Sequence, residues 1–178
     1  KAYKYFLSSN NLSGKENKYS ADKNIFIKSV EDRIKFFSSF KTNPWKSAEI
    51  KDKKKDPIFL IGFPRSGTTL LDTILRSHSS IEVLEEIPII SKLIENYEKK
   101  KIFNLNDFLK GDKEFIDQGR KFYFLERSKF LRDKTKEIYI DKMPLNIIHV
   151  AEILKFFPNA KFILALRHPY DCVLSCFM

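Results

Sequence analysis

The chain has 178 residues, of which 43% are hydrophobic, 31% are charged and 17 are phenylalanine, so it can bury a core and is not an intrinsically disordered chain. This length predicts one domain, or one domain with an appendage. The net charge is +10, but the lysine runs at 53–55 and 99–101 contain no interleaved aromatic residues, so we interpret them as solvated surface rather than a nucleic-acid site.

Residues 1–50 are predicted to form a short helical segment and linker, separate from a domain at residues 51–178. The first apolar residues suggest the end of one helix, and the polar stretch 10–20 is predicted to be a loop. Residues 27–37 space their apolar side chains as an amphipathic helix does. A charged linker then leads into the domain.

From residue 57 onward, stretches with the pattern of strands and of helices alternate. The predicted strands are 58–62, 81–83, 137–141 and 161–166, and the predicted helices are 67–77, 87–97, 114–131, 146–157 and one beginning near 170. Such alternation predicts an α/β fold, with a parallel sheet and helices on both faces. Ligands of these sheets gather where strands end and the chain turns into helices.

The first predicted strand runs into the segment 62-GFPRSGTT-69, which almost matches the phosphate-binding pattern G-x-x-x-x-G-K-[ST]. Gly62 and Gly67 have the required spacing, but Thr68 takes the place of the lysine. Backbone N–H groups and the hydroxyls of Ser66, Thr68 and Thr69 at a helix N-terminus form an anion-binding site. The sequence therefore predicts an anion site that lacks the usual lysine.

The other strand ends differ in charge. Arg167 follows the strand 161–166 and would attract a second anion, where a kinase or ATPase would place an acidic residue to hold Mg²⁺. Asp141, at the end of the strand 137–141, could pass for that acidic residue. The pattern alone therefore leaves a nucleoside triphosphatase open.

Three segments in this order carry a family resemblance. They are 62-GFPRSGTTLL-71, 85-EEIP-88 with 141-DKMPLN-146, and 167-RHPYDCVLSCF-177. The chain from about residue 57 resembles the sulfotransferases that use 3′-phosphoadenosine 5′-phosphosulfate (PAPS). The most similar branch holds the tyrosylprotein sulfotransferases and bacterial sulfotransferases with tetratricopeptide repeats. The resemblance implies a P-loop-like sulfotransferase fold that continues beyond residue 178, and an N-terminal segment that ends a repeat region.

The resemblance also implies which residues bind the donor. Those that would hold the 5′-phosphosulfate are Arg65, Ser66, Gly67, Thr68 and Thr69, and those that would hold the 3′-phosphate are Arg167 and Ser175. A sulfuryl group carries less negative charge than a γ-phosphoryl group, so no metal is expected and the missing lysine is not needed. No metal is expected from the cysteines either, because Cys172 and Cys176 have no further cysteine with which to complete a zinc site.

Two catalytic residues follow from the same resemblance. Lys142 would stabilise charge on the oxygen that leaves with adenosine 3′,5′-bisphosphate. Glu86 would act as the general base for the acceptor hydroxyl, with Glu85 as its neighbour. Adjacent residues of an extended segment point to opposite sides, so we expect only one of the two carboxylates to face the site. The alternative without a catalytic role is a carboxylate pair that interacts favourably with the dipole at the N-terminus of the following helix.

The function implied is transfer of a sulfuryl group from PAPS to an acceptor hydroxyl, on a protein tyrosine, a carbohydrate or a small alcohol. Two alternatives stay open: a P-loop kinase or ATPase that requires Mg²⁺, and an inactive nucleotide-binding or scaffold module. No apolar run reaches the length of a membrane span and no signal peptide is visible. We interpret Cys172 and Cys176 as buried, reduced thiols, which predicts a cytoplasmic protein.

Overall fold

The structure is a computed structural model that describes residues 2–16, 23–40, 50, 52, 54–99 and 105–178. The chain divides into two compact units, residues 43–167 and residues 1–42 together with 168–178. The domain boundary at residues 50 and 51 stays a prediction.

The described residues form eight α-helices and four strands. The helices are α1 (Ala2–Glu16), α2 (Lys23–Ser38), α3 (Thr68–Arg76), α4 (Ile89–Lys99), α5 (Leu105–Lys110), α6 (Lys113–Ser128), α7 (Val150–Phe156) and α8 (Pro169–Phe177). The strands are β1 (Ile58–Gly62), β2 (Ile81–Glu85), β3 (Ile138–Lys142) and β4 (Lys161–Ala165). A 3₁₀ helix, Pro144–His149, precedes α7. None of the helices in the described part of the chain is both long and apolar enough to span a membrane.

The strands form one parallel sheet in the order β2-β3-β1-β4. The predicted α/β architecture is therefore confirmed. Leu60 lies beside Lys142 of β3, and Gly62 lies beside Ala165 of β4. Because all four strands run the same way, their carboxyl ends lie along one edge of the sheet.

Each face of the sheet packs against its own apolar cluster. On one face, Phe59 and Leu84 contact side chains from α4, α6 and α7. On the other face, Leu60, Val83 and Ile140 pack with Leu71 and Leu75 of α3. Both faces of β1 are buried, which is why it reads as an unbroken apolar run rather than an alternating one.

A buried arginine fastens the segment before β1 to α6 and α7. Arg120 of α6 is fully buried, and its guanidinium donates to Asp52 at 2.7 and 2.8 Å, to Asp56 at 2.6 Å and to the Phe156 carbonyl at 2.9 Å. A buried arginine is tolerated only when its donors are satisfied in this way. These bonds hold the start of β1 in place relative to α6 and α7.

In the smaller unit, the loop predicted for residues 10–20 is wrong for residues 10–16, because α1 continues to Glu16. The rest of that stretch lies outside the described residues. Asn10 Nδ2 donates to the Phe177 carbonyl at 3.0 Å, and the Phe177 ring stacks on Tyr3 at 5.5 Å. These tertiary contacts outweigh the weak helix propensity of the polar residues. The amphipathic helix predicted for 27–37 is confirmed as part of α2.

The segment after β3 also differs from the prediction. The helix predicted for 146–157 begins as a 3₁₀ helix at Pro144 and becomes α-helical at Val150. Proline suits a first helical position because its fixed φ is already helical and its missing N–H needs no partner there. Strand β3 therefore ends at Lys142, and the 3₁₀ helix begins two residues later.

Candidate functional site

The loop between β1 and α3 needs glycine at two positions. A Cβ on Gly62 would lie 2.7 Å from Ser66 Oγ and 2.8 Å from the carbonyl oxygen of Ala165, so the site has no room for a side chain. Gly67 has a φ of 97°, in the left-handed region that favours glycine. Arg65, with a φ of 68°, adopts that region despite its side chain. Backbone strain of this kind occurs often at binding sites.

The same loop offers donors to an anion. Gly67 caps α3 without a side-chain hydrogen bond, so the first N–H groups of the helix have no capping partner from that residue. Ser66 is buried, and its Oγ has no hydrogen-bond partner among the described residues. Thr68 is buried, whereas Thr69 is exposed. A buried hydroxyl without a partner, next to a helix N-terminus, fits an anionic group such as a phosphosulfate.

Lys142 occupies the end of β3 as a buried ammonium held by two carboxylates. Its side chain is fully buried, and Nζ lies 3.2 Å from Glu85 Oε1 and 2.8 Å from Glu86 Oε1. Burial alone would lower the pKa of Lys142, but the hydrogen bonds and charges of Glu86 and Glu85 outweigh burial and raise it above its ordinary value. Lys142 therefore remains a cation at neutral pH.

The expectation that only one of Glu85 and Glu86 faces the site is wrong, because both reach Lys142. Glu86 follows the last residue of β2 and has a φ of 53°, so the chain turns there instead of continuing as a strand. Its backbone N–H donates to the Lys142 carbonyl at 2.7 Å. The alternation rule holds only within extended backbone, and this left-handed residue ends it.

Two residues of α3 extend this charged cluster and were missed in the sequence. Arg76 makes a two-pronged contact with Asp72, Nε to Oδ1 at 2.8 Å and Nη2 to Oδ2 at 2.7 Å. Arg76 Nη2 also lies 3.6 Å from Glu85 Oε2. The spacing of Asp72 and Arg76 is the i,i+4 spacing of helical ion pairs, which is the signal that could have found them.

Asp141 lies on the other face of the sheet from Lys142. It is 2% exposed and pairs in register with Phe59, and the Tyr123 hydroxyl donates to its Oδ2 at 2.9 Å. Burial raises the pKa of Asp141 to about 7, against the opposing effects of the Tyr123 hydrogen bond and the Arg127 charge. A carboxyl group packed into the core beside Tyr123 is badly placed to hold a metal at the sheet edge.

We expect Asp141 to lower the free energy of unfolding as the pH rises from about 4 to about 7. Its pKa is about 7 in the folded chain, against about 3.9 in an unfolded one. The folded state therefore binds this proton more tightly, so the stability it contributes is present below about pH 4 and lost as pH rises through about 7. Across this pH range Asp141 should decrease the free energy of unfolding by up to about 4 kcal/mol, and Asp141→Asn should abolish this decrease. Urea unfolding of both proteins between about pH 5 and 8 measures it, and parallel profiles would contradict it.

Arg167 lies beside the loop between β1 and α3, as predicted. Its Nη1 donates to the Arg65 carbonyl at 3.2 Å, so the end of β4 and the loop after β1 are adjacent. Ser175 lies on α8 in the smaller unit, and its assignment to a phosphate stays a prediction. Cys172 is buried and Cys176 is exposed. Within the described ranges, no group of three or more His, Cys, Asp or Glu side chains could hold a metal ion.

A further polar residue at this edge was not singled out in the sequence. Asn146 lies in the 3₁₀ helix after β3 and is 1% exposed. Its Nδ2 has no hydrogen-bond partner among the described residues. A buried amide donor without a partner calls for a bound group or a water molecule. Its place in the segment 141-DKMPLN-146 was the only signal in the sequence.

Comparison with known proteins gives a consistent family. Residues 57–178 match the Sulfotransferase family. Protein-tyrosine sulfotransferase 1 of Mus musculus is 29% identical over 116 residues, which cover 62% of this chain and 30% of that protein. The nodulation protein NoeE of Sinorhizobium fredii (strain NBRC 101917 / NGR234) is 31% identical over 127 residues, which cover 66% of this chain and 30% of NoeE.

An uncharacterized protein of Aquifex aeolicus (strain VF5) is 30% identical over 182 residues, covering 98% of this chain and 23% of that protein. The sulfotransferase STF9 from Mycobacterium avium has a TM-score of 0.42 and 16% identity, over 83% of this chain and 51% of that one. The chain spans less than a third of the length of the curated relatives it matches. The link to tetratricopeptide repeats stays a prediction. Because residues 57–178, more than half of the chain, match the family, the chain belongs to the sulfotransferase family.

Proposed function

We propose that the protein transfers a sulfuryl group from PAPS to an acceptor hydroxyl by in-line displacement. The observation that supports this most is the buried Lys142 ammonium, held by Glu85 and Glu86 at the same sheet edge as the loop after β1. The edge thus combines donors for an anion, a cation for a leaving oxygen and a carboxylate for a proton. Those are the groups that transfer of an anionic group between oxygens needs.

Each residue has a role in this proposal. The residues that would bind the 5′-phosphosulfate are Arg65, Ser66, Gly67, Thr68 and Thr69, and those that would bind the 3′-phosphate are Arg167 and Ser175. Glu86 accepts the proton of the acceptor hydroxyl while the oxygen of that hydroxyl forms a bond to the sulfur of PAPS. Lys142 stabilises the negative charge that forms on the oxygen of adenosine 3′,5′-bisphosphate as its bond to sulfur breaks.

The proposal includes no metal. The candidate metal ligand at a strand end was Asp141, and its contact with the Tyr123 hydroxyl turns it toward the core. Lys142 supplies a fixed positive charge instead, and Arg167 supplies another beside the loop. A transferred group with a single negative charge needs no more compensation than these cations offer.

The acceptor is proposed to be a hydroxyl of a protein tyrosine, a carbohydrate or a small alcohol. Protein tyrosine is the acceptor named for the relative from Mus musculus. Glu85 and Glu86 are half-exposed, so an acceptor hydroxyl can approach the proposed base from solvent. A panel of these acceptors with the intact protein would distinguish the classes. We further propose a cytoplasmic location.

Nucleotide binding tests the donor assignment. We expect the intact protein to bind adenosine 3′,5′-bisphosphate at least about tenfold more tightly than 5′-AMP, because a charge-assisted hydrogen bond contributes roughly 1.5–3 kcal/mol. Arg167→Ala should remove most of that preference. Lys161→Ala, which removes a charge from the opposite end of the same strand, should keep it. Calorimetry with the two nucleotides measures both affinities.

The same titrations, repeated with EDTA and with Mg²⁺-ATP, address the kinase alternative. Affinity for the bisphosphate should not depend on Mg²⁺. Equal affinity for the two adenosine nucleotides would overturn the PAPS assignment. Tight binding of ATP that requires Mg²⁺ and is lost in Asp141→Asn would favour a kinase or ATPase instead.

A further inference from the structure

Charges of alternating sign connect α3 with the proposed catalytic residues. The residues in this row of ion pairs are, in spatial order, Asp72, Arg76, Glu85, Lys142 and Glu86. They come from three elements: α3, the end of β2 with the residue that follows it, and the end of β3. Asp72 is 3% exposed and Lys142 is fully buried, so Glu85 lies between two buried charged residues, with Arg76 linking it to Asp72.

Glu85 divides its two oxygens between two cations. Oε1 lies 3.2 Å from Lys142 Nζ, and Oε2 lies 3.6 Å from Arg76 Nη2. Among the described residues, the ion pair of Glu86 is with Lys142. The two adjacent carboxylates are therefore not equivalent, because Glu85 keeps a counter-ion if it parts from Lys142.

Asp72 sets the orientation of the second cation. Its two oxygens accept from Nε and Nη2 of Arg76, and this paired geometry fixes the guanidinium plane. The remaining direction of Nη2 is toward Glu85. Without Asp72, a side chain that is more than one-third exposed would have many other orientations.

We propose that Asp72 and Arg76 are positioning residues that hold Glu85 between two cations, so that Glu86 is the carboxylate that leaves Lys142 to receive the acceptor proton. The proposal rests on the proposed sulfuryl transfer. When Lys142 turns toward a leaving oxygen, Glu85 stays paired through Arg76 and does not compete for the ammonium. Without Arg76, Glu85 holds Lys142 more closely, and Lys142 is less available to the leaving oxygen.

A double-mutant cycle tests this in the intact protein. The variants are Arg76→Gln, Glu85→Gln and the two together, assayed for kcat and for affinity toward adenosine 3′,5′-bisphosphate. Arg76→Gln should lower kcat about three- to tenfold, and should add less than about twofold once Glu85 is glutamine. Nucleotide affinity should change little in all three. Arg76→Lys, which keeps the charge but loses the two-pronged contact with Asp72, should restore turnover only in part.

The matched control is Lys129→Gln, which removes a surface ion pair with Glu126 at the end of α6. It should leave kcat unchanged, and thermal unfolding should show every variant folded. Independent effects of Arg76→Gln and Glu85→Gln on kcat, or no rescue by Arg76→Lys, would overturn the positioning role alone. Absence of sulfuryl transfer by the unaltered protein would overturn the proposed function, and the positioning role with it.

Discussion

Replacing Glu86 with glutamine should lower turnover roughly 10²–10⁴-fold, the usual contribution of general-base catalysis. The side chain keeps its size and a hydrogen-bonding oxygen near Lys142, but it can no longer accept a proton. Affinity for adenosine 3′,5′-bisphosphate should stay nearly unchanged, because Glu86 is proposed to act on the acceptor. Steady-state turnover with an established acceptor, together with calorimetry of the nucleotide, measures the two quantities separately.

Glu85→Gln is the matched control for Glu86→Gln. It removes an equal charge from the adjacent residue, which also contacts Lys142, at 3.2 Å. We expect it to lower turnover much less, because Arg76 holds Glu85 away from the role of base. Near-normal turnover in Glu86→Gln would contradict the assignment, above all if one of the three histidines of the chain, His78, His149 or His168, proved to be the essential base instead. The nucleotide assignment would survive that result.

Replacing Lys142 with methionine should lower turnover by roughly 10²–10³-fold, as loss of one group that stabilises transition-state charge does. Methionine fills a similar buried volume but leaves the leaving oxygen without its cation. Glu85 and Glu86 remain half-exposed, so water can solvate them when their shared partner is gone. The effect should fall on kcat more than on nucleotide affinity, because the charge develops during the reaction.

Lys92→Met controls for the loss of one lysine from the same unit, since Lys92 is an exposed residue of α4. It should keep full turnover. Because Lys142 is buried, circular dichroism and thermal unfolding should accompany the assay, so that misfolding is not taken for a catalytic defect. A folded Lys142→Met protein with near-normal turnover would show that Lys142 is structural and would remove it from the proposed mechanism.

Local pattern was enough to predict the first strand, its loop and the helix after it. The run 58–62 is apolar because both faces of β1 are buried, and the two glycines appear where backbone contacts and a positive φ demand them. Alternating strands and helices predicted the parallel sheet, because a parallel connection needs a crossover helix. From the parallel sheet it follows that Lys142 and Arg167 lie at the same edge as the loop.

Local pattern failed where distant residues decide the backbone. The extent of α1 depends on a contact between Asn10 and Phe177. The turn at Glu86 depends on its N–H binding the Lys142 carbonyl, 56 positions away in the chain. The pairing of Glu85 with Arg76 depends on how α3 packs over the end of β2. None of these contacts has a signature within a window of a few residues.

By itself, the sequence determined the family, the parallel α/β architecture and the position of the loop between β1 and α3, because these follow from periodicity and from short motifs. Only the tertiary structure decided which charged groups meet. It placed Asp141 in the core and Lys142 at the opposite face, because β3 pairs with β1 in a register that sets Asp141 beside Phe59. It also joined Asp72 and Arg76 to Lys142 through Glu85, since charges separated in the chain interact only when folding brings them within a few ångströms.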